Sequence, residues 1–479
     1  MKKLIIMRHP ESIGNKNNII QGNNERDDLY SLSEDGLKQL DVILKQYNNQ
    51  IINAQKIITS PAKRTMQTAE IISDAFNIPT IINGNLKEFN PGILSNIKKE
   101  EAKKNYPEYF DIYTKRGDMD KIPYAEKGDF FQARLLGFLM EYYDKEDFCE
   151  LIITHAGVIR CLLNTINGQE RNNQFSIQNT KIFIVDDLFK DIGIERRSRA
   201  MNSKVYIVTT ANGKYVVKIK DGQIGKKDYE EQKVLDKLNI ENSPTILSMQ
   251  NYEDSKQYSK VLRYIEGIHK YGELSKDEFF ALIKSEMELE VKLNPIKDFG
   301  FSKNNLKEKV KKIYKASNNK YIKSIAKELL DSNYISSIED EKQYVLSHND
   351  LNRDNIIFNN DEDGNVKANI IDFEALEYAP KDYQFASMLT SGLLLEGENM
   401  AKIDRVINLR KKDPNKIYFL MQIRALQGLH FFAESHIKYN KENMQVSSDL
   451  LKRYIKTTEI LHNKLFENKK VQENSEIEK

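Results

Sequence analysis

Tryptophan is absent from this sequence, and cysteine occurs only as Cys149 and Cys161. Two cysteines, each flanked by apolar residues, are too few for a disulfide framework or a cysteine-based zinc site, and they read as buried thiols. No run approaches the ~18 apolar residues that a membrane-spanning helix needs. The amino-terminal run ends at Arg8, too short for a signal-peptide core. Charge of one sign is also missing: 73 basic and 71 acidic residues leave a formal net charge of +2, which gives no electrostatic reason for a nucleic-acid or membrane partner. Gly/Ser-rich and Pro-rich linkers are lacking, so the domains in these 479 residues are expected to be close-coupled. That length fits about three domains or two larger ones, and 40% hydrophobic content supplies ordinary cores. A soluble, cytoplasmic, globular protein is expected.

What is present begins with a pattern used three times. Lys3 to Met7 (K-L-I-I-M) reads as a buried parallel strand, with Arg8-His9-Pro10-Glu11-Ser12 at its carboxyl end. Ile57-Ile58-Thr59 leads in the same way into Ser60-Pro61-Ala62-Lys63-Arg64, and Leu151-Ile152-Ile153-Thr154 into His155-Ala156-Gly157. Ligands bind beyond the carboxyl ends of strands in an open α/β sheet, so these loops are expected to converge on one crevice. Ser60 is a candidate helix cap and Pro61 suits the first helical position, with Ala62, Met66, Ala69 and Ile72 on one face. Arg64 then sits in the first turn, where its guanidinium adds to the positive end of the helix dipole and favours a bound phosphate.

Arg8-His9 with Glu11, Ser12 and Asn15, S-P-A-K-R-T-M-Q-T-A from Ser60 to Ala69, Leu86-Lys87-Glu88, and T-H-A-G-V-I-R from Thr154 to Arg160 together resemble the histidine phosphatase (phosphoglycerate-mutase-like) superfamily. The intervening stretch from Asp27 to Leu37 has that family's loop-to-helix punctuation. The resemblance covers residues 1–188 and implies a three-layer α/β/α domain. It implies further that His9 forms a phosphohistidine, that Arg8, Arg64 and His155 bind the phosphoryl oxygens with help from Asn15, and that Glu88 protonates the leaving oxygen and then activates water. Pro10 departs from the family's usual glycine, fixing φ and removing a backbone donor beside the nucleophile. No catalytic group is lost by that change.

The boundary is expected at Asp186 to Asp191, followed by Arg196, Arg197 and Arg199 as a solvated basic linker. Val205 to Thr209 and Tyr215 to Ile219 flank Ala211-Asn212-Gly213, a hairpin signal that puts Lys218 on the second strand. Glu231 follows on a helix marked by Val234, Leu235 and Leu238. Further on, L-S-H-N-D-L-N-R-D-N-I-I-F from Leu346 to Phe358 has apolar ends around a polar centre, a strand, loop and strand in which His348, Asp350 and Asn355 follow H-x-D-x-x-x-x-N. Asn369 to Glu374 reads as an apolar strand ending in Asp372.

These features in this order resemble the aminoglycoside phosphotransferase and choline kinase superfamily, over residues 189–466. The resemblance implies a two-lobed, protein-kinase-like α+β domain that uses ATP and Mg2+ to phosphorylate a small-molecule hydroxyl. Lys218 would pair with Glu231 and contact the nucleotide phosphates, and Arg263, Tyr264 and Ile265 would form the adenine-binding hinge. Asp350 would accept the hydroxyl proton, Asn355 and Asp372 would hold Mg2+, and His348 would be structural. The acceptor could be choline-like, an amino alcohol or a sugar. A quaternary ammonium needs aromatic faces, whereas Tyr378, Tyr383, Phe385, Phe431 and Phe432 read as core. Met400 to Phe466 is expected to be mainly helical, with Ile417, Leu420, Met421, Arg424 and Leu429 on amphipathic stretches, and residues 467–479 to be a disordered charged tail.

The favoured expectation is a bifunctional enzyme acting on a small phosphate ester and a small hydroxyl acceptor. A kinase with a phosphate-sensing first domain, its turnover spoiled by Pro10, is the alternative. A pseudoenzyme scaffold is the third reading, disfavoured by the intact His9, His155, Asp350, Asn355 and Asp372.

Overall fold

The computed structural model describes residues 2–23, 30–115, 117–171, 175–197, 203–238, 244–252, 254–297, 299–339, 344–435 and 444–477. The chain divides into two compact units: Met1–Ile224 with Thr245–Tyr264, and Gly225–Pro244 with Ile265–Lys479. The expected boundary at 188/189 therefore lies inside the first unit.

The first unit opens with parallel strands β1 (Lys2–Arg8), β2 (Lys56–Thr59), β3 (Thr80–Ile82) and β4 (Phe148–Thr154). A fifth strand, β5 (Ile182–Val185), runs antiparallel to β1, and the sheet order is β3-β2-β4-β1-β5. Every residue of β4 is buried, as a strand covered on both faces requires. Register pairs Arg8 with Thr154 and Thr59 with Ile153, which brings the carboxyl ends of β1, β2 and β4 level. The three loops anticipated from the strand pattern thus open at one edge.

Helix α1 (Lys63–Phe76) follows β2, but its N-cap is Ala62, with no side-chain cap, rather than Ser60. Its buried stripe runs through Thr65, Thr68, Ala69 and Ile72, so Met66, placed on the inner face by the sequence reading, is exposed. The helix starts two positions later than Pro61 suggested, so Ala62 lies outside it as the N-cap.

A second, wholly antiparallel sheet belongs to the same unit: β6 (Gly193–Arg197), β7 (Lys204–Thr210), β8 (Gly213–Asp221), β9 (Ile246–Asn251) and β10 (Gln257–Arg263), in the order β9-β10-β8-β7-β6. The hairpin forms at Ala211–Asn212, with Gly213 at φ +125°. Arg196 and Arg197 pair with β7 as an edge strand and are not linker residues; Arg199 lies outside the described residues.

Helix α2 (Gly128–Met140) explains why the two sheets cluster together. Its sequence G-D-F-F-Q-A-R-L-L-G-F-L-M is apolar nearly all round, and such a helix must be covered on every side. Phe138 and Leu139 share one core with Leu4 and Ile152 of the first sheet and Val208, Val217 and Val261 of the second. An ionic contact adds to this: Asp254, in the β9–β10 turn, takes Lys56 Nζ at 2.5 Å and Lys145 Nζ at 2.6 Å, while Glu150 lies 3.3 Å from Lys56 Nζ. Partial burial works to raise the Asp254 pKa, but the hydrogen bonds from Lys145 and Lys56 outweigh it and the net is a lowering.

The second unit contains α4 (Lys226–Leu238), α5 (Lys276–Leu293), the pair β11 (Tyr344–Ser347) and β14 (Glu377–Pro380), and the pair β12 (Ile356–Asn360) and β13 (Val366–Ile370). Helix α3 (Ala156–Ile166) completes the helices of the first unit used below. A capping box between Ser275 and Glu278 starts α5. After β14 come α6 (Tyr383–Ser387), α7 (Pro414–His430) and α8 (Met444–Ile477). Helix α8 continues through 467–477, where a disordered tail was expected; Glu, Lys and Gln are good helix formers, so low hydrophobicity alone does not stop a helix. Among the described residues no helix is long and apolar enough to cross a membrane. Both cysteines are buried and unbridged, and burial pushes the Cys161 thiol up to about 12.

Candidate active sites

The first site is built on the level ends of β1, β2 and β4. His9 is buried, and its Nδ1–H donates to the Pro10 carbonyl at 2.7 Å. That bond fixes the tautomer, leaving Nε2 unprotonated to accept from Arg64 Nε at 3.2 Å. Arg64 Nη2 donates to His155 Nδ1 at 3.1 Å and to the Gly22 carbonyl at 3.2 Å. His155 must then carry its proton on Nε2, which donates to Ser60 Oγ at 2.8 Å. The imidazole rings meet edge to face, 5.3 Å between centroids.

Burial first, then the positive charges of Arg64 and Arg8, hold the His9 pKa well below 6.5. Burial, Arg64 and the neighbouring His9 do the same to His155. Arg64 is lowered to about 10 by burial, against the opposing pull of Glu88 and Tyr30, and so remains a cation at neutral pH. Among the described residues, Arg8 Nε and Arg64 Nη1 are buried without a hydrogen-bond partner. A buried, unsatisfied polar group costs ~1–3 kcal/mol, more when charged, so two on one wall call for a ligand anion.

That wall belongs to a cavity of about 910 Å³, also lined by His9, Asn15 and Glu88. Glu88 is pinned by the Gly157 N–H to Oε2 (3.2 Å) and the Phe89 N–H to Oε1 (2.9 Å). A Cβ at Gly157 would lie 2.3 Å from Glu88 Oε1, so only glycine allows this approach at the start of α3. Asn15 accepts from Ser12 N (3.2 Å) and from Asn179 Nδ2 (3.3 Å); the same Asn179 amide holds the His9 carbonyl at 3.0 Å. The sequence reading missed Asn179, and it took Ser60 for a cap because serine serves both roles.

The second site lies wholly in the second unit. Asp350 Oδ1 accepts from Arg424 Nη2 at 2.7 Å and from Asn352 Nδ2 at 3.1 Å. Asn355 Nδ2 donates to the Asp350 carbonyl at 2.8 Å and reaches Oδ2 at 3.3 Å. The Ile371 N–H donates to the Asn355 carbonyl (2.9 Å) beside the Ile356↔Ile370 rung, which sets Asn355 and Asp372 at the same end of the β12–β13 pair. Asp372 holds a left-handed φ of 64°. His348 is buried, stacks edge-on against Phe373 and bonds the Ile371 carbonyl through Nε2 at 2.9 Å, so it braces the turn. Its own N–H donates to Gln384 Oε1 (3.0 Å), and Gln384 donates to Glu286, the buried partner of Arg410.

Arg424 lies in α7 among buried Leu420, Met421, Ile423, Ala425 and Leu426, and also donates from Nε to Ser391 Oγ at 3.0 Å. Burial works to lower its pKa, but the charge of Asp350 outweighs that and the net is a rise. An arginine inside an apolar helical run was the available signal, and the sequence reading treated it as part of an amphipathic stretch.

Asn355 and Asp372 offer hard oxygen donors, and among the described residues no cluster of His, Cys, Asp or Glu forms a closed metal cage. Hard oxygen donors of this kind are what Mg2+ takes, with waters and phosphate oxygens as its remaining ligands. Lys218, on β8, is the register partner of the buried Lys260 on β10, a lysine not singled out from sequence. Glu231 is buried on α4 of the second unit. The Arg263 N–H is engaged by the Thr245 carbonyl (3.0 Å), and its guanidinium lies 3.7 Å from Asp129. Tyr264 lies under Lys214, 5.2 Å from the ring centroid, and Ile265 is buried. Of the aromatics weighed for an ammonium site, Tyr383 and Phe385 are core, Arg410 covers the Phe385 ring at 4.6 Å, and Phe431 is exposed.

Two protein families match the chain, one after the other. The histidine phosphatase superfamily (branch 1) matches residues 4–190, and the phosphotransferase enzyme family matches residues 193–401. The chain joins a histidine phosphatase superfamily domain to a phosphotransferase-family domain. Proteins called probable phosphoglycerate mutase GpmB, from Yersinia pestis (strain Pestoides F) and Yersinia pseudotuberculosis serotype O:3 (strain YPIII), are each 27% identical to this chain over 169 residues, 35% of it and 76% of theirs. Bacillus stearothermophilus YhfR is 21% identical, with a TM-score of 0.35 over 44% of this chain and 98% of its own. Entamoeba histolytica phosphoserine phosphatase, bound to 3-phosphoglyceric acid, is 23% identical, with a TM-score of 0.31 over 38% and 90%.

Proposed function

We propose that the chain carries two phosphoryl-transfer activities, hydrolysis of a small phosphate ester through His9 and ATP-dependent phosphorylation of a small-molecule hydroxyl with Asp350 as base. The observation that carries the first is the pair of buried guanidinium donors without partners, Arg8 Nε and Arg64 Nη1, beside an unprotonated His9 Nε2. His9 Nε2 attacks phosphorus, the ester P–O bond breaks, and Glu88 gives its proton to the leaving oxygen. Arg8, Arg64 and His155 hold the phosphoryl oxygens as charge builds on them. Glu88, now a carboxylate, takes a proton from water; the resulting hydroxide displaces His9 from phosphorus and frees phosphate. The Pro10 carbonyl selects the nucleophilic tautomer, as the carbonyl of any residue there could, so the proline leaves this hydrogen bond in place.

In the second centre Asp350 takes the proton of the acceptor hydroxyl as that oxygen bonds the γ-phosphorus and ADP departs. Mg2+, when bound at Asn355 and Asp372, would neutralise charge on the β- and γ-phosphates. Trapping tests the phosphatase half: the protein, denatured in alkali during turnover of a labelled phosphomonoester, should retain an acid-labile, base-stable label that His9→Ala lacks. Equal labelling and turnover in that variant would overturn the assignment.

A further inference from the structure

We infer that the acceptor of the phosphotransferase site carries an anionic group, a carboxylate or a phosphate, near the hydroxyl it offers, and that Arg424 selects for it. This rests on the kinase reading above and adds the acceptor's charge. Both Asp350 carboxylate oxygens already have donors: Arg424 and Asn352 on Oδ1, Asn355 on Oδ2. An acceptor hydroxyl must therefore reach a carboxylate that is held in an ion pair. A cationic acceptor would meet the guanidinium as a like charge and could not compete for Asp350 without leaving Arg424 unpaired in an apolar helix.

Two nearby acids are matched as well, Glu396 by Arg453 at 3.2 Å and Glu398 by Lys402 at 2.8 Å. The aromatic groups are engaged with one another or with cations of the chain: Tyr454 stacks on Phe432 at 5.5 Å, Tyr383 donates to Gln427, and Arg410 covers Phe385. An ammonium group would have to take its counter-charge from acids such as these that already pair with cations of the chain, whereas an anion would meet the Arg424 guanidinium. A guanidinium offers five N–H donors in a planar fork, and the hydrogen bonds to Asp350 and Ser391 leave that fork capacity for a further oxygen. An acceptor anion that draws on Arg424 loosens its hold on Asp350 just where the hydroxyl proton must go, so binding the right acceptor and freeing the base become one event. Water brings no anion, which disfavours futile hydrolysis of ATP.

The test uses the full chain with ATP and Mg2+, reading ADP formation with choline and ethanolamine, with glycerol, and with glycerate and glycerol phosphate as matched cationic, neutral and anionic probes. The anionic probes should exceed their neutral and cationic counterparts in kcat/KM by ~100-fold or more. Arg424→Gln should collapse that preference to within ~10-fold and raise acceptor-independent ATP hydrolysis, with KM for ATP unchanged, and Arg424→Lys should restore part of the preference. Phosphatase turnover and the melting curve of Arg424→Gln check that it folds; if it does not, Ser391→Ala, which only loosens Arg424, should shift the preference in the same direction. Asp350-dependent turnover that is equal or better with a cationic or neutral probe overturns the acceptor inference and leaves the kinase reading standing. No Asp350-dependent ADP formation with any class overturns both.

Discussion

Replacing Arg64 should separate what this side chain does for catalysis from what it does for the fold. Its guanidinium bridges His9 Nε2 (3.2 Å), His155 Nδ1 (3.1 Å) and the Gly22 carbonyl (3.2 Å), and Nη1 waits without a partner. Lysine keeps the charge but cannot reach both imidazoles, so Arg64→Lys should lose at least one donor to the developing phosphoryl charge. One such donor is worth about 3–4 kcal/mol, or ~10²–10³ in kcat/KM. Stability moves less, because the variant gives up hydrogen bonds of ~1 kcal/mol each but also relieves a buried unpartnered donor, and these offset to within ~2 kcal/mol. Arg64→Met removes the charge that helps depress His9, so the His9 pKa rises toward its ordinary value. The acid limb of the pH–rate profile should then move to higher pH in whatever activity survives. Phosphate release from p-nitrophenyl phosphate between pH 5 and 9, with thermal melts of each variant, reads all of this. Arg64→Lys within threefold of the parent would refute the reasoning, as would a loss of activity fully explained by unfolding.

Stability should also depend on pH through the two histidines. Their folded pKa values lie below the ordinary 6.5, so under acid the unfolded chain binds more protons and stability falls as pH drops below 6.5 toward the folded values. The slope is up to ~1.4 kcal/mol per pH unit per histidine, and urea midpoints at pH 5, 6 and 7 should show it shrinking in His155→Asn; an unchanged slope would contradict it. Gly157→Ala should push Glu88 from its seat, 2.3 Å from the new Cβ, and cut turnover ~10²–10⁴-fold in a folded protein; the check is kcat beside an unchanged melting curve. Asp254→Ala should destabilise the first unit by ~1–2 kcal/mol. That is less than a fully buried pair is worth, because the Asp254 side chain is 41% exposed; denaturation in low and high salt measures it.

Much of this was legible because strand ends and turns carry short-range signals. The Arg-His pair, the Arg64 turn and the His155 loop each follow an apolar run, and parallel register does the rest. The H-x-D-x-x-x-x-N loop and Asp372 were legible for the same reason. What escaped depends on contacts between distant segments. Ser60 bonds His155, 95 positions away, so its role as a partner rather than a cap was invisible locally. Arg424 meets Asp350 across 74 positions, and only its presence in an apolar helix hinted at it. The boundary reading followed the loop at 186–191, and the two family matches end and begin there, at residues 190 and 193.

The central claim, two independent phosphoryl-transfer centres on one chain, is tested most directly by a crossed measurement. Phosphate release from a phosphomonoester and acceptor-dependent ADP formation are followed in the parent, His9→Ala and Asp350→Asn. Each variant should lose one activity by at least ~10³-fold and keep the other within about twofold. Loss of both activities in either folded variant, or retention of both, would contradict the claim.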